Sequence, residues 1–484
     1  MKSAFIMFYF SLLGFVVLYG VNTYWLITIY LKHRKKPDEA PDGPLARSQF
    51  PQVTIQLPVY DEMRVAVRLI EAARQLDWPA EQLEIQVLDD STDITSDLIR
   101  GHIESVSDPR IAYLHRSDRQ GYKAGALAAG LKVASGEFIA VFDADNLPHP
   151  DFLRRALLPF NDESVGLVQT RWGFLNRDES LLCRAQALFL DAHFLIEQFA
   201  RYRGGMLFNF NGTAGIWRRR AIADAGGWQF DTLTEDLDLS LRAQLAGWRF
   251  AYLNRYTVPT ELPNSIAAFK SQQYRWAKGA VQTGLKLLPT ILRHHLPLRA
   301  KVGAVFHVYS KALSLALLLL AVLLIPALYI RLESGMQKLL LIDFPIFIVG
   351  TGSVTLFYSL AHRAGGGKRS LKQMLTLPML TSLGIALAVN NCRALLSALL
   401  GRHSSFVRTP KSGSTDSKYL SLPRAYNIGG DITLWIEIFL ACYSFVALVL
   451  AFEQGLYFTV PFMATFFIGY YYFSYRGLRD AFIR

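Results

Sequence analysis

The sequence predicts an α/β domain with a mostly parallel sheet, cytoplasmic, joined to an α-helical transmembrane region of about five spans with interfacial helices. Three observations predict it. Hydrophobic residues make up 51% of the 484 residues and charged residues only 19%, against about a quarter charged in an ordinary soluble domain. The apolar excess is concentrated in one run at the N-terminus and in several beyond residue 300. Between them, short β-rich runs alternate with helical patterns, as in a sheet whose crossovers are helices.

Residues 4–30 are almost free of charge and are followed by Lys32, His33, Arg34, Lys35 and Lys36. At 1.5 Å per residue this run crosses a hydrocarbon core of about 30 Å. A cleaved signal peptide fits poorly, because the run is too long for its apolar region and the positive charges follow it. The basic flank stays in the cytoplasm, so the N-terminus faces out. Residues 312–330 and 339–361 read as one hairpin of spans, and residues 432–452 and 456–475 as a second, joined by Glu453, Gln454 and Gly455.

Residues 375–400 are apolar too, but contain Pro378, Asn390, Asn391 and Arg393 and lie between the basic segments 362–372 and 402–424. Crossing would put one basic segment outside, together with Arg476, Arg479 and Arg484. The charge rule therefore assigns a helix in the interface, five spans and an inside C-terminus. The expected domains are residues 1–36, a membrane helix with its basic flank; 50–300, cytoplasmic; and 301–484, transmembrane and interfacial.

In the middle region residues 53–57, 83–88, 111–114, 138–142 and 165–169 are the candidate strands. Residues 64–76, 95–106, 123–134 and 151–158 are the candidate helices. Ligands of such sheets bind beyond the carboxyl ends of the strands, where this chain is acidic: Asp61-Glu62, Asp89-Asp90 with Asp93, and Asp143-Ala144-Asp145. Three acidic clusters side by side would repel one another, and a divalent cation or a basic rim is the remedy; hard oxygen ligands suit Mg²⁺ or Mn²⁺. No Walker A motif or GxGxxG follows a strand, which disfavours a P-loop NTPase and a dinucleotide dehydrogenase.

Other classes are disfavoured by composition. Aromatic residues at 13% exclude disorder, and the dispersed Cys183, Cys392 and Cys442 offer neither a disulfide scaffold nor a zinc site. Much of the +12 net charge flanks membrane spans, where orientation explains it better than nucleic acid does. Only Asp343 and Glu437 place acids within the spans, both near probable ends, too few for a transporter.

Four motifs stand in order: Asp89-Asp90, Asp143-Ala144-Asp145, Thr234-Glu235-Asp236 and Gln272-Gln273-Tyr274-Arg275-Trp276. With them the chain resembles the membrane-integrated family 2 glycosyltransferases of GT-A fold, which include cellulose, hyaluronan and chitin synthases. Residues 86–93, Gly121-Tyr122-Lys123-Ala124-Gly125-Ala126-Leu127 and Phe210-Asn211-Gly212-Thr213-Ala214-Gly215 are similar to plant cellulose-synthase-like mannan and glucan synthases. The resemblance covers residues 50–300 well and the later spans loosely.

The resemblance implies roles that the residue chemistry supports. A nucleotide-sugar donor leaves as a diphosphate, which needs its charge neutralised more than it needs a proton, so one metal ion replaces a second carboxylate. Asp145 is the expected metal ligand, with Asp143 on the metal or the ribose. Asp89 and Asp90 are expected at the nucleoside, although capping of the next helix would use the same residue types. Pro58, Tyr60 and Glu62 match a donor-site motif in which Asp61 stands where Asn is usual, so Asp61 is given no role. Lys123 is expected to meet a phosphate from a helix start. Asp236 is the expected general base for the acceptor hydroxyl, while Glu235 and Asp238 would serve the helix start.

Arg275 can bind the diphosphate as charge builds. Gln272 and Trp276 are expected at the acceptor, the indole stacking on a sugar ring; Phe210, Asn211 and Thr213 belong to the turn that would contact the acceptor. Phe406-Val407-Arg408-Thr409-Pro410-Lys411, in the loop 402–424, resembles the gating loop of cellulose synthase. A basic loop on anionic lipid is the simpler alternative. No PilZ-like barrel follows the last span, so no cyclic-dinucleotide control is expected within this chain. The expected activity is an inverting, processive β-glycosyltransferase using UDP-glucose or GDP-mannose to extend a β-glucan or β-mannan and move it across the plasma membrane (the inner membrane in a bacterium). A non-processive enzyme making a glycolipid is the alternative.

Overall fold

The structure is a computed structural model that describes residues 2–36, 50–333, 348–367, 371–402, 413, 432–457 and 459–482. Seven strands form one sheet: β1 Val53–Val59, β2 Leu83–Asp89, β3 Ile111–His115, β4 Phe138–Val141, β5 Val165–Phe174, β6 Gly215–Arg218 and β7 Arg249–Thr260, in the order β3-β2-β1-β4-β6-β5-β7. β1 pairs parallel with β2 and β4, β2 with β3 and β5 with β7, while β6 runs antiparallel to both β4 and β5. The five strands expected from sequence are present. β6 and β7 were not expected, for reasons visible in their residues. β6 is only four residues long and follows a glycine-bearing turn. β7 breaks its pairing register with β5 and interrupts its apolar residues with Asn254 and Arg255.

All seven residues of β1 are buried because helices cover both faces. Val53, Ile55 and Leu57 project into one core with Ile85, Val87 and Phe138; each fully buried aliphatic side chain contributes about 1.5–3 kcal/mol. The opposite face carries Gln56 and Gln86, joined by a 3.0 Å hydrogen bond. The helix Tyr122–Val133 packs over them, and its small residues follow from that contact: a Cβ on Gly130 would stand 2.7 Å from both amide side chains. The core on this face is continuous with the helical bundle, running from Ile139 and Leu167 to Leu26, Phe466 and Tyr470.

Among the described residues, three helices are long and apolar enough to cross a membrane: Lys2–His33, the part 377–399 of Leu371–Leu399, and Ile432–Glu453. Leu298–Val308 and Ala312–Val322, bent by 52° at their break, add a fourth if they count as one span. Of the expected span 339–361, residues 339–347 lie outside the described residues, as do Asp343 and Phe406 to Lys411.

Residues 375–400 do form a helix. Its C-terminal half runs beside the helix Ile266–Arg293, with Asn390 donating to the carbonyl of Lys270 at 2.9 Å and Lys278 donating to Ser397 at 3.0 Å. A buried ion pair of 2.9 Å, Lys270 to Glu437, ties the same helix to Ile432–Glu453. Removing one partner of such a pair costs about 3–5 kcal/mol, because the other charge stays buried.

Candidate active site

The carboxyl ends of β1, β2 and β4 open on a cleft of about 1230 Å³, mouth included. Of the residues expected from sequence, Pro58, Tyr60, Glu62, Asp90, Lys123, Asp143, Asp145, Asn211, Thr213, Asp236, Gln272, Arg275 and Trp276 line it. Two do not. Asp89 is fully buried, receiving hydrogen bonds from the Ser91 N–H at 2.9 Å, the Ser96 hydroxyl at 2.5 Å and the Tyr113 hydroxyl at 2.7 Å. It organises the loop after β2 from behind the cleft wall. Phe210 is likewise buried, edge-on to Trp217 at 5.7 Å, so it anchors its turn.

Other residues have work that the sequence did not announce. The Thr213 hydroxyl accepts from the Asp143 N–H at 2.8 Å and donates to Asn146, so it shapes the Asp143 loop. Asp90 takes a two-pronged bond from Arg116, at 2.7 and 2.5 Å, and Arg116 also donates to the carbonyls of Gln120 and Tyr122. Asp61 has φ 52°, and its carboxylate accepts from the Thr92 N–H at 2.7 Å. Asn and Asp are the side chains best tolerated in that left-handed region, which accounts for the exchange of Asn for Asp there.

The centre of the cleft is a charge cluster. The Lys123 ammonium lies 2.5 Å from Asp143, 2.8 Å from the Gly212 carbonyl and 3.9 Å from Glu235. Its partners within the chain are thus two carboxylates and a carbonyl, and it lines the cleft. Burial disfavours its charge, but Asp143 and Glu235 outweigh that and push it up to about 12. Asp236 is pushed up to about 7, by burial first and then by the charge of Glu235. Glu235 is raised as well, chiefly by burial; it lines the cleft and so does more than serve a helix start. Asp238, by contrast, is buried against Arg242 at 2.6 Å and Lys286 at 2.8 Å. Burial lowers Arg275 to about 10, against the pull of Glu235, Asp143 and Glu62, which leaves it a cation at neutral pH.

Two backbone features bring Asp236 to this place. Gly212 has φ 81°, and a Cβ there would stand 3.0 Å from an Asp236 oxygen, so the turn needs glycine for both conformation and space. The helix Glu235–Leu245 holds that turn through Ser240, whose hydroxyl accepts from the Phe210 N–H at 2.8 Å. On the other side Gly279, four residues after Arg275, lets Thr234 approach; a Cβ there would come within 2.5 Å of its side chain.

Sequence reasoning also missed Arg119, Trp172 and Glu261, all on the cleft wall. Arg119 stacks on Tyr60, 3.2 Å from the ring centroid. Trp172 adds a second indole besides Trp276. Glu261 pairs with Arg68 at 2.8 Å and accepts at 3.1 Å from the N–H of Gly413, a residue of the loop 402–424. None of the three belongs to a motif with fixed spacing.

A mostly parallel sheet with one reversed strand, acidic strand ends and a carboxylate-lined cleft beyond them define a GT-A glycosyltransferase domain. Residues 51–279 match the family described as "Glycosyltransferase like family 2".

Among characterised proteins, the chain is 44% identical over 266 residues to glucomannan 4-beta-mannosyltransferase 1 of Oryza sativa subsp. japonica, covering 53% of this chain and 50% of that protein. It is 43% identical over 303 residues to glucomannan 4-beta-mannosyltransferase 2 of Arabidopsis thaliana, covering 59% and 57%. The chain thus spans little more than half the length of these relatives. In fold it is similar to the mannosyltransferase PcManGT of Pyrobaculum calidifontis, solved with GDP-Man and Mn²⁺, with TM-score 0.51, 19% identity, and coverage of 81% of this chain and all of that one.

Proposed function

We propose that this chain is an inverting, processive β-mannosyltransferase that takes mannose from GDP-mannose and extends a β-mannan or glucomannan chain. One observation carries the reading: Asp236, whose carboxyl burial pushes up to about 7, stands in the cleft that Lys123 and Arg275 also line. The plant relatives, glucomannan 4-beta-mannosyltransferases, direct it to mannose and to a polysaccharide.

The chemistry follows from the arrangement. Asp236 takes the proton of the acceptor hydroxyl, whose oxygen attacks the anomeric carbon from the face opposite the leaving diphosphate, inverting the configuration. Arg275 and Lys123 lower the cost of the charge that builds on the diphosphate. Trp276 and Trp172 offer flat apolar faces to sugar rings, and Tyr60, Glu62 and Asp90 line the donor end.

Asp143 and Asp145 fit a divalent cation. Among the described residues no three carboxylate, histidine or cysteine side chains converge on a preformed site, but Mg²⁺ and Mn²⁺ need only one or two carboxylates when substrate phosphates complete the shell. Both residues offer hard oxygens on the cleft wall; one Asp145 oxygen is already fixed by the Thr260 hydroxyl at 2.6 Å and the Glu261 N–H at 3.2 Å. The ion would neutralise the leaving diphosphate.

Product analysis tests the reading. Membrane-purified protein given GDP-mannose should yield mannan of many residues by mass spectrometry, and UDP-glucose alone should yield little. A lipid carrying a single sugar would overturn the polymerase reading and leave the transferase reading standing.

The setting is a plasma membrane (the inner one in a bacterium), with residues 50–300 and the C-terminus in the cytoplasm. The helix Leu371–Leu399 then lies along the inner face beside Ile266–Arg293. Cysteines introduced at Lys368 and Lys418 should react with an impermeant reagent from the same side; reaction from opposite sides would make that helix a span.

A further inference from the structure

The helix carrying Leu181–Asp191 and Phe199–Arg203 widens into a π-helical stretch, Ala192–Gln198, between them. Such stretches are rare and cluster at functional sites. This one presents His193 and Glu197 toward the turn 209–213. His193 Nε2 lies 3.1 Å from Asn211 Oδ1, and His193 Nδ1 lies 3.2 Å from a Glu197 oxygen. The other Glu197 oxygen receives Arg201 at 3.0 Å.

The donor and acceptor pattern fixes every atom in this chain. Asn209 Nδ2 faces the Phe210 carbonyl at 2.9 Å, which accepts only, so that atom is the nitrogen; it also points at Asn211, 3.1 Å away. Asn209 Oδ1 in turn faces His307 Nε2 at 3.0 Å. The Asn211 atom between Asn209 and His193 must therefore be the oxygen. His193 then faces an acceptor on both sides, the Asn211 oxygen and the Glu197 carboxylate, and its Nε2–H donates to the Asn211 oxygen.

The Asn211 amide nitrogen is left over. It is buried, has no partner among the described residues, and belongs to a side chain on the wall of the cleft near Asp236.

We propose that Glu197, acting through His193, holds the Asn211 side chain with its NH₂ presented to the acceptor, making this position a hydrogen-bond donor to a sugar oxygen. Asn211 is then the binding residue; His193 and Glu197 are positioning residues. With His193 unable to donate, only Asn209 Nδ2 still holds the Asn211 oxygen, and the amide turns its oxygen to the acceptor more readily, losing that bond. The inference rests on the mannosyltransferase reading for the identity of the acceptor, and on the hydrogen-bond pattern for everything else.

The test uses the full-length protein with GDP-mannose and β-1,4-mannotetraose. His193→Leu should raise the acceptor KM about five- to tenfold, the worth of one neutral hydrogen bond, with the GDP-mannose KM unchanged. His193→Gln keeps an amide donor at that place and should restore the acceptor KM to within about twofold of wild type. Asn211→Leu should give the same increase as His193→Leu, and the double variant should be no worse than either alone, because both remove one interaction. Additive losses in the double variant, or equal rises in both KM values, would refute the relay. Failure of the wild type to elongate mannotetraose would instead count against the mannosyltransferase reading, and the same comparison would then be run with the acceptor that it does elongate.

Discussion

Replacing Asp236 with Asn should lower turnover by about 10²- to 10⁴-fold, the usual worth of a positioned general base, while donor affinity measured by calorimetry stays within a few-fold of wild type. The amide keeps the shape of the carboxylate and the hydrogen bond that Asp236 Oδ1 accepts from the Leu237 N–H at 2.8 Å. It removes only the proton acceptor.

The pH profile identifies the group. Burial and the neighbouring Glu235 place Asp236 near 7, and a base works only when deprotonated. Wild-type kcat/KM should therefore fall below about pH 7 and level off above it, and the residual activity of Asp236→Asn should lack that limb. The stability consequence has the opposite sense. A carboxylate raised from about 4 in the unfolded chain to about 7 stabilises the fold below pH 4, and that contribution is lost as pH rises through 7. Asp236→Asn should accordingly melt higher than wild type at pH 8 and not at pH 4. Near wild-type turnover in this variant would move the base to Glu235, the other raised carboxylate in the cleft.

Metal removal should have an effect of similar size. With EDTA, transfer should fall by at least about 10²-fold, the scale set by losing a major electrostatic contact in a transition state, and Mn²⁺ or Mg²⁺ should restore it. Asp145→Ala should fail to recover at metal concentrations that saturate the wild type. Lys123 and Arg275 alone do not substitute in this expectation, because the Lys123 charge is already matched by Asp143 at 2.5 Å. Full activity of Asp145→Ala in the presence of chelator would eliminate the metal from the mechanism.

The sequence by itself determined the class of domain and the location of its cleft. Parallel strands buried on both faces read as apolar runs, the crossover helices separate them at regular intervals, and the acidic residues fall where each strand ends. Because ligands of such sheets gather at those ends, Asp90, Asp143 and Asp145 could be placed together from spacing alone. Asp236, Arg275 and Trp276 come from segments far along the chain; only their motifs brought them into the same account.

What the tertiary structure decided is how each side chain is employed. Asp89 and Asp90 are adjacent and chemically identical, yet one is buried under Ser91, Ser96 and Tyr113 while the other reaches the cleft. Alternate strand residues point to opposite faces, and composition does not say which of them meets the void. β6 and β7 escaped notice because a four-residue strand and a bulged strand with charged residues lack a clean period of two. The polar chain from Glu197 through His193 to Asn211 was invisible for a different reason. Its members reside in a π-helical stretch and a turn, and their bonds form only when the helix and turn pack together; until then, His193 and Glu197 read as ordinary polar residues of a helix.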